Sequence, residues 1–230
     1  MTAEAVREGR EGREGPEGRE GGAARSAFDA VRRLMPPHEN AGERVDWEAA
    51  ERLWGTGFPA DYVAFMAEYG EGTVQDFLHI LQPLPSPYWT DPDDGMRAET
   101  VNARGFLRNF SGPPGLTARS PAPVLAWGVT AGPDILCWQT TDEDPDRWPV
   151  VVIGRHTPEP VSLHDRSMTG FLRGLFLAEF DRCPLSGTQL WGRRPKFLHC
   201  REEQRLWDAG IDPWAGAPGE PDPHAGPPLG

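Results

Sequence analysis

The densest run of chemically capable side chains is Thr141-Asp142-Glu143-Asp144-Pro145-Asp146. Its carboxylates stand at the first, third and fifth places of a calcium-loop pattern, the spacing that lets three acids converge on one hard cation. The match stops there. Arg147 takes the sixth place, where the sharp turn needs glycine, and Ile153 the twelfth, where a bidentate glutamate closes the shell. The loop therefore reads as solvated or as facing a partner protein. His156, His164 and Asp165 straddle a loop without the i, i+4 spacing of a zinc-binding helix. Cys183, His199 and Cys200 include no Cys-x-x-Cys pair. Ser111 and Ser186 neighbour glycines, but neither lies in Gly-x-Ser-x-Gly. Lys196 is the only lysine, so no phosphate-cradling Gly-x-x-x-x-Gly-Lys loop is present. No catalytic constellation, metal site or cofactor site is expected.

Short amphipathic elements would have to position these side chains. Asp46 is placed to cap a helix on which Trp47, Ala50, Leu53 and Trp54 recur at helical spacing, and Gly55 and Gly57 end it. Pro59 suits the first position of a second helix. Phe58, Tyr62, Phe65, Met66 and Tyr69 form one face of that helix, closed by Gly70 as a left-handed cap. An earlier helix carries Phe28, Val31, Leu34 and Met35 and stops at Pro36-Pro37. Thr73 to Leu81 reads as one strand, and Gly95 to Phe110 as a helix with Thr100, Ala103, Leu107 and Phe110 on a face. Two strands flank the Ala131-Gly132-Pro133-Asp134 turn. Pro149 to Gly154 carries three consecutive valines, the mark of a strand covered on both faces. Val161 to Leu163 is a short edge strand. Ser167 caps a helix with Met168, Phe171, Leu172, Leu175 and Phe176, and Arg201 to Ala209 is helical.

Composition bounds what such a chain can do. It has 230 residues and a net charge of −12, which opposes binding to nucleic acid or an anionic membrane and permits a basic protein partner. Residues 9–21 repeat glycine every third position, yet lack the proline and length of a collagen helix. Residues 1–25 therefore read as a disordered charged tail, and residues 212–230, rich in Pro and Gly, as a second one. Three cysteines, Cys137, Cys183 and Cys200, make no even disulfide framework, and no apolar stretch precedes the domain. Reduced thiols in a cytoplasmic protein are the expectation, with Cys137 a small buried hydrophobe.

The pattern helix, Gly, Phe-Pro-x-Asp-Tyr, x-x-Phe-Met, x-x-Tyr-Gly over Asp46 to Gly72 resembles the N-terminal signature of the SUKH superfamily. That group includes the fungal Smi/Knr cell-wall regulators and many bacterial immunity proteins. Val124 to Thr130 with Asp134 to Thr140 looks like its Trp-Gly-containing hairpin, Trp148 to Gly154 like its next strand, and Ser167 to Phe180 like its closing helix. The resemblance implies an α+β single domain over residues 26–183, a twisted, mostly antiparallel sheet flanked by helices. Residues 184–211 extend it, and Leu190, Trp191, Phe197, Leu198, Leu206 and Trp207 are expected to pack that extension back onto the domain.

For function the resemblance implies a noncatalytic binding protein, most simply an immunity protein that occludes a basic toxin of nuclease or deaminase type. The alternatives are an endogenous regulator or scaffold of the same fold, and a small-ligand-binding protein or hydrolase. Partner contacts are expected at Asp142, Glu143, Asp144 and Asp146, with Asp91, Asp93, Asp94 and Trp89. Charge reversal at Asp142, Asp144 and Asp146 together is expected to slow association and to leave stability nearly unchanged.

Overall fold

The computed structural model describes residues 16–89, 91, 94–110, 123–157 and 159–216, with side chains from Ala24 onward. Helix α1 runs Pro16–Leu34, α2 Trp47–Trp54 and α3 Ala60–Glu68; strands β1 (Gly72–Val74) and β2 (Leu78–Ile80) follow, then α4 (Met96–Arg108). Next come β3 (Val124–Thr130), β4 (Ile135–Gln139), β5 (Val150–Ile153), β6 (Val161–His164), α5 (Met168–Phe176), β7 (Phe197–His199) and α6 (Cys200–Asp208). The strands form one antiparallel sheet in the order β6-β5-β4-β3-β2-β1-β7. The fold is α+β, as the residue patterns predict.

Each face of the sheet is covered by helices. On one face, Val31 and Met35 of α1 and its C-terminal end, Tyr62, Phe65 and Met66 of α3, and Phe171, Leu172 and Leu175 of α5 bury Leu78, Ile80, Trp127, Leu136, Trp138, Val150 and Val152. On the other, Ala103 and Leu107 of α4 cover Val124, Ala126, Ile135, Cys137, Val151 and Ile153. Alternation along β4 and β5 sends successive side chains to opposite cores, which is why the valine run carries no polar residue.

The aromatic stripe of α3 is a core face: Tyr62, Phe65, Met66 and Tyr69 are fully buried. Asp46 Oδ1 accepts the Ala49 amide at 2.9 Å, and Gly55 ends α2 at φ 70°. Gly70 takes φ 76° after α3, where its missing Cβ would meet the His199 ring at 2.6 Å. Pro59 precedes the first turn of α3 as its cap residue.

Five expectations need correction. Thr73 to Leu81 is a hairpin, because Gln75 and Asp76 both take positive φ (52° and 51°) and the chain turns over Gln75 to Phe77. The Asn-Gly or Asp-Gly signal of a tight hairpin is absent from it. Residues 16–25 are the N-terminal part of α1 and no tail, and Pro16 stands at its first helical position. Asp212 accepts the Trp214 and Ala215 amides at 2.7 and 2.9 Å, so residues 212–216 form an ordered turn. Leu53 is half exposed and leaves the α2 face to Trp47, Ala50 and Trp54. Within residues 184–211, Leu190, Phe197 and Leu198 are buried, and Phe197 to His199 adds the edge strand β7 to β1; Trp207 remains exposed. Asp134 pins the start of this extension: its Oδ2 accepts the Ser186 amide at 2.8 Å and its Oδ1 the Ser186 hydroxyl.

Candidate functional site

Strands β2, β4, β6 and β7 run in one direction, since each is separated from the next of them by two antiparallel steps, which restore it. Their C-terminal ends therefore share one end of the sheet. From that end leave the loop after β2 (Leu81 to Gly95), the acidic loop after β4, the cap of α5 and the first turn of α6. The topology thus brings Asp91 and Asp94 to the same end as Asp142 to Asp146, with only β3 between their parent strands. Asp93 lies outside the described residues.

The acidic loop is more tightly built than its composition suggests. Asp142 Oδ1 accepts the Asp144 amide and Asp144 Oδ1 the Asp146 amide, each at 3.0 Å, and Asp142 pairs with Arg147 at 3.5 Å. Asp146 Oδ1 accepts the Ala60 amide at 2.6 Å and so caps α3, whose own cap residue, Pro59, makes no side-chain hydrogen bond. Asp142, Glu143, Asp144 and Asp146 are all exposed. Asp146 therefore carries a structural role, and a reversal that includes it cannot leave stability unchanged. Trp89 is half-buried, and its indole N–H is committed to Glu71 Oε1 at 2.9 Å.

That bond belongs to a cluster which sequence spacing did not reveal. Glu71, 1% exposed, precedes β1; His79 sits on β2; Cys200 opens α6 beside β7. Leu78 and Ile80 point into the α1–α3–α5 core, so His79 between them faces the other side of the sheet. Glu71 Oε2 accepts Gln82 Nε2 at 3.1 Å and the Ser86 hydroxyl. The Thr73 hydroxyl donates to Glu203 Oε2 at 3.1 Å, and its oxygen lies 3.2 Å from His79 Nδ1. His79 Nε2 lies near Glu71 Oε1 (3.4 Å) and Cys200 Sγ (3.9 Å). The Cys200 amide donates to the Glu71 carbonyl at 3.0 Å and ties the two elements together.

Burial alone would push the Glu71 carboxyl up, but hydrogen bonds from His79, Ser86 and Trp89 outweigh it and hold the group below its ordinary value. The Cys200 thiol is pushed well up, first by burial and then by Glu71, Glu203 and Glu43. His199, on the opposite face, caps α6 by accepting the Arg201 amide at 3.0 Å on Nδ1 and lies 3.1 Å from Glu43 through Nε2. Cys183 lies apart, its thiol on the Gly187 carbonyl at 3.3 Å. The signal for the Glu71 cluster lay in the hairpin register, which places Thr73 opposite His79, and no linear motif contains it.

One antiparallel sheet with helical cover on each face defines an α+β protein. The chain belongs to the family described as SUKH_6, SMI1-KNR4 cell-wall, whose model matches residues 45–172. No curated protein and no solved structure matches the chain. Among the described residues no helix is long and apolar enough to cross a membrane.

Proposed function

We propose that this protein is a noncatalytic protein-binding domain that acts as an immunity protein, occluding a cognate basic toxin of nuclease or deaminase type. The family, whose members often serve in toxin immunity, supports the class of function. The observation that supports the reading is that the loops bearing Asp91, Asp94 and Asp142–Asp146 both leave one end of the sheet, in a chain with net charge −12. Such a rim would steer a cationic cleft by long-range attraction, and neighbouring apolar side chains would supply more of the affinity.

The test is a pull-down with the full chain as bait, followed by a growth assay for neutralisation of the retained protein. A basic toxin, captured at low salt and neutralised in cells, supports the reading. Glu143→Lys with Asp94→Lys, two exposed acids at that sheet end, should then lower the association rate about tenfold or more at low salt and much less at high salt. Unchanged association would remove the acidic rim from the interface. The family description also favours a second reading, an endogenous regulator or scaffold. A nontoxic partner in the same pull-down would select it.

A further inference from the structure

Three different metal-ligating groups meet at the β1–β2–β7 edge, on elements far apart in sequence. A carboxylate oxygen, a ring nitrogen and the Sγ of the Glu71–His79–Cys200 cluster all lie within 4.8 Å of one another. A tetrahedral zinc site with bonds of about 2.0–2.3 Å holds its ligand atoms about 3.3–3.6 Å apart. The separations from His79 Nε2, 3.4 Å to Glu71 and 3.9 Å to Cys200, fall on or just outside that edge length. As a hydrogen bond 3.4 Å is long.

The surroundings are those of a prepared ligand set. Glu203 and Thr73 stand behind the imidazole at Nδ1, the arrangement by which a ligating histidine is oriented through its other nitrogen. Gln82, Ser86 and Trp89 donate to the Glu71 carboxylate and hold it in place. Glu71 and Cys200 are buried, while the His79 side chain is 18% exposed and gives a route in.

We infer that Glu71 Oε1, His79 Nε2 and Cys200 Sγ form a site for one borderline divalent transition ion, zinc by its mixed O, N and S ligands, with a fourth position left for water. Binding removes the Cys200 thiol proton to solvent and leaves oxidation states unchanged. Nothing in this assignment depends on the toxin partner.

The experiment titrates the reduced, metal-free full chain with Co²⁺, which reports tetrahedral thiolate ligation by a sulfur-to-cobalt charge-transfer band and intense visible bands. One equivalent should saturate both features, and Zn²⁺ should displace Co²⁺. Cys200→Ser and His79→Gln should abolish the charge-transfer band and weaken binding, respectively, while Cys183→Ser changes neither. Thr73→Val, which removes only the hydroxyl behind His79, should weaken binding about 10–100-fold. Each variant is compared with wild type by circular dichroism without metal. A wild-type chain that shows no charge-transfer band, or a band that survives in Cys200→Ser, overturns the site without reference to any variant's stability.

Discussion

Asp146 caps the first turn of α3 from a loop 86 residues away, its Oδ1 accepting the Ala60 amide at 2.6 Å. The same loop also exposes Asp142, Glu143 and Asp144. Asp146→Ala should cost about 0.5–2 kcal/mol of stability, the usual cost of losing a helix cap. Glu143→Ala, one residue before the linked Asp144, should change stability by less than about 0.5 kcal/mol. Urea denaturation of the two variants separates the roles, and equal midpoints would show that the cap contributes nothing.

A second long-range cap sits deeper. Asp61 Oδ2 accepts both the Thr169 amide (2.8 Å) and its hydroxyl (2.9 Å), fastening α3 to the start of α5. The aspartate of Phe-Pro-x-Asp-Tyr is thus explained by packing. Asp61→Ala should destabilise by about 2–4 kcal/mol, since it orphans a buried amide as well as removing a charged acceptor. Thr169→Val, losing only the hydroxyl, should cost about 1 kcal/mol. Thermal melting that ranks these two in the opposite order would contradict the geometry.

The pH response offers a further check at His164. Its ring packs between Phe171 and Phe180, at centroid distances of 5.3 and 5.2 Å. Burial first, and then the Arg166 charge, hold its pKa below the ordinary 6.5. The unfolded chain then binds this proton more readily than the folded one. Stability from this group is present above about pH 6.5 and declines as pH falls toward the lower folded value. His164→Gln should therefore flatten the loss of stability between neutral and mildly acidic pH. A wild-type and variant difference that does not vary with pH would rule out the shift.

Edge strand β7 depends on close backbone approach. A Cβ on Gly72 would lie 2.2 Å from the Leu198 carbonyl oxygen, so Gly72→Ala must push β7 off β1. Phe197 fills the core between Phe65 and Tyr69, with ring centroids at 6.0 and 5.3 Å. Phe197→Ala should cost about 3–5 kcal/mol. Gly72→Ala should cost about 1–3 kcal/mol and raise amide hydrogen exchange in residues 197–199 selectively. Exchange unchanged at those amides would mean that the strand tolerates the methyl group.

Helical periodicity determined a great deal by itself. Trp47 to Trp54, Phe58 to Tyr69 and Met168 to Phe176 declare their buried faces because a helix repeats its neighbours every three or four residues, and local caps such as Asp46 and Ser167 mark their starts. The valine run announced a strand covered twice for the same local reason. The tertiary structure alone decided what depends on register and strand order. The turn at Gln75-Asp76 uses residues that do not advertise positive φ, and Phe197 to His199 is too short to show a period, so neither β1–β2 nor β7 was legible. Once those strands pair, Glu71, His79 and Cys200 become neighbours, although 121 positions separate His79 from Cys200. Side chains joined by pairing across a sheet leave no linear trace, because the sequence records neighbours along the chain and the site is made of neighbours across it.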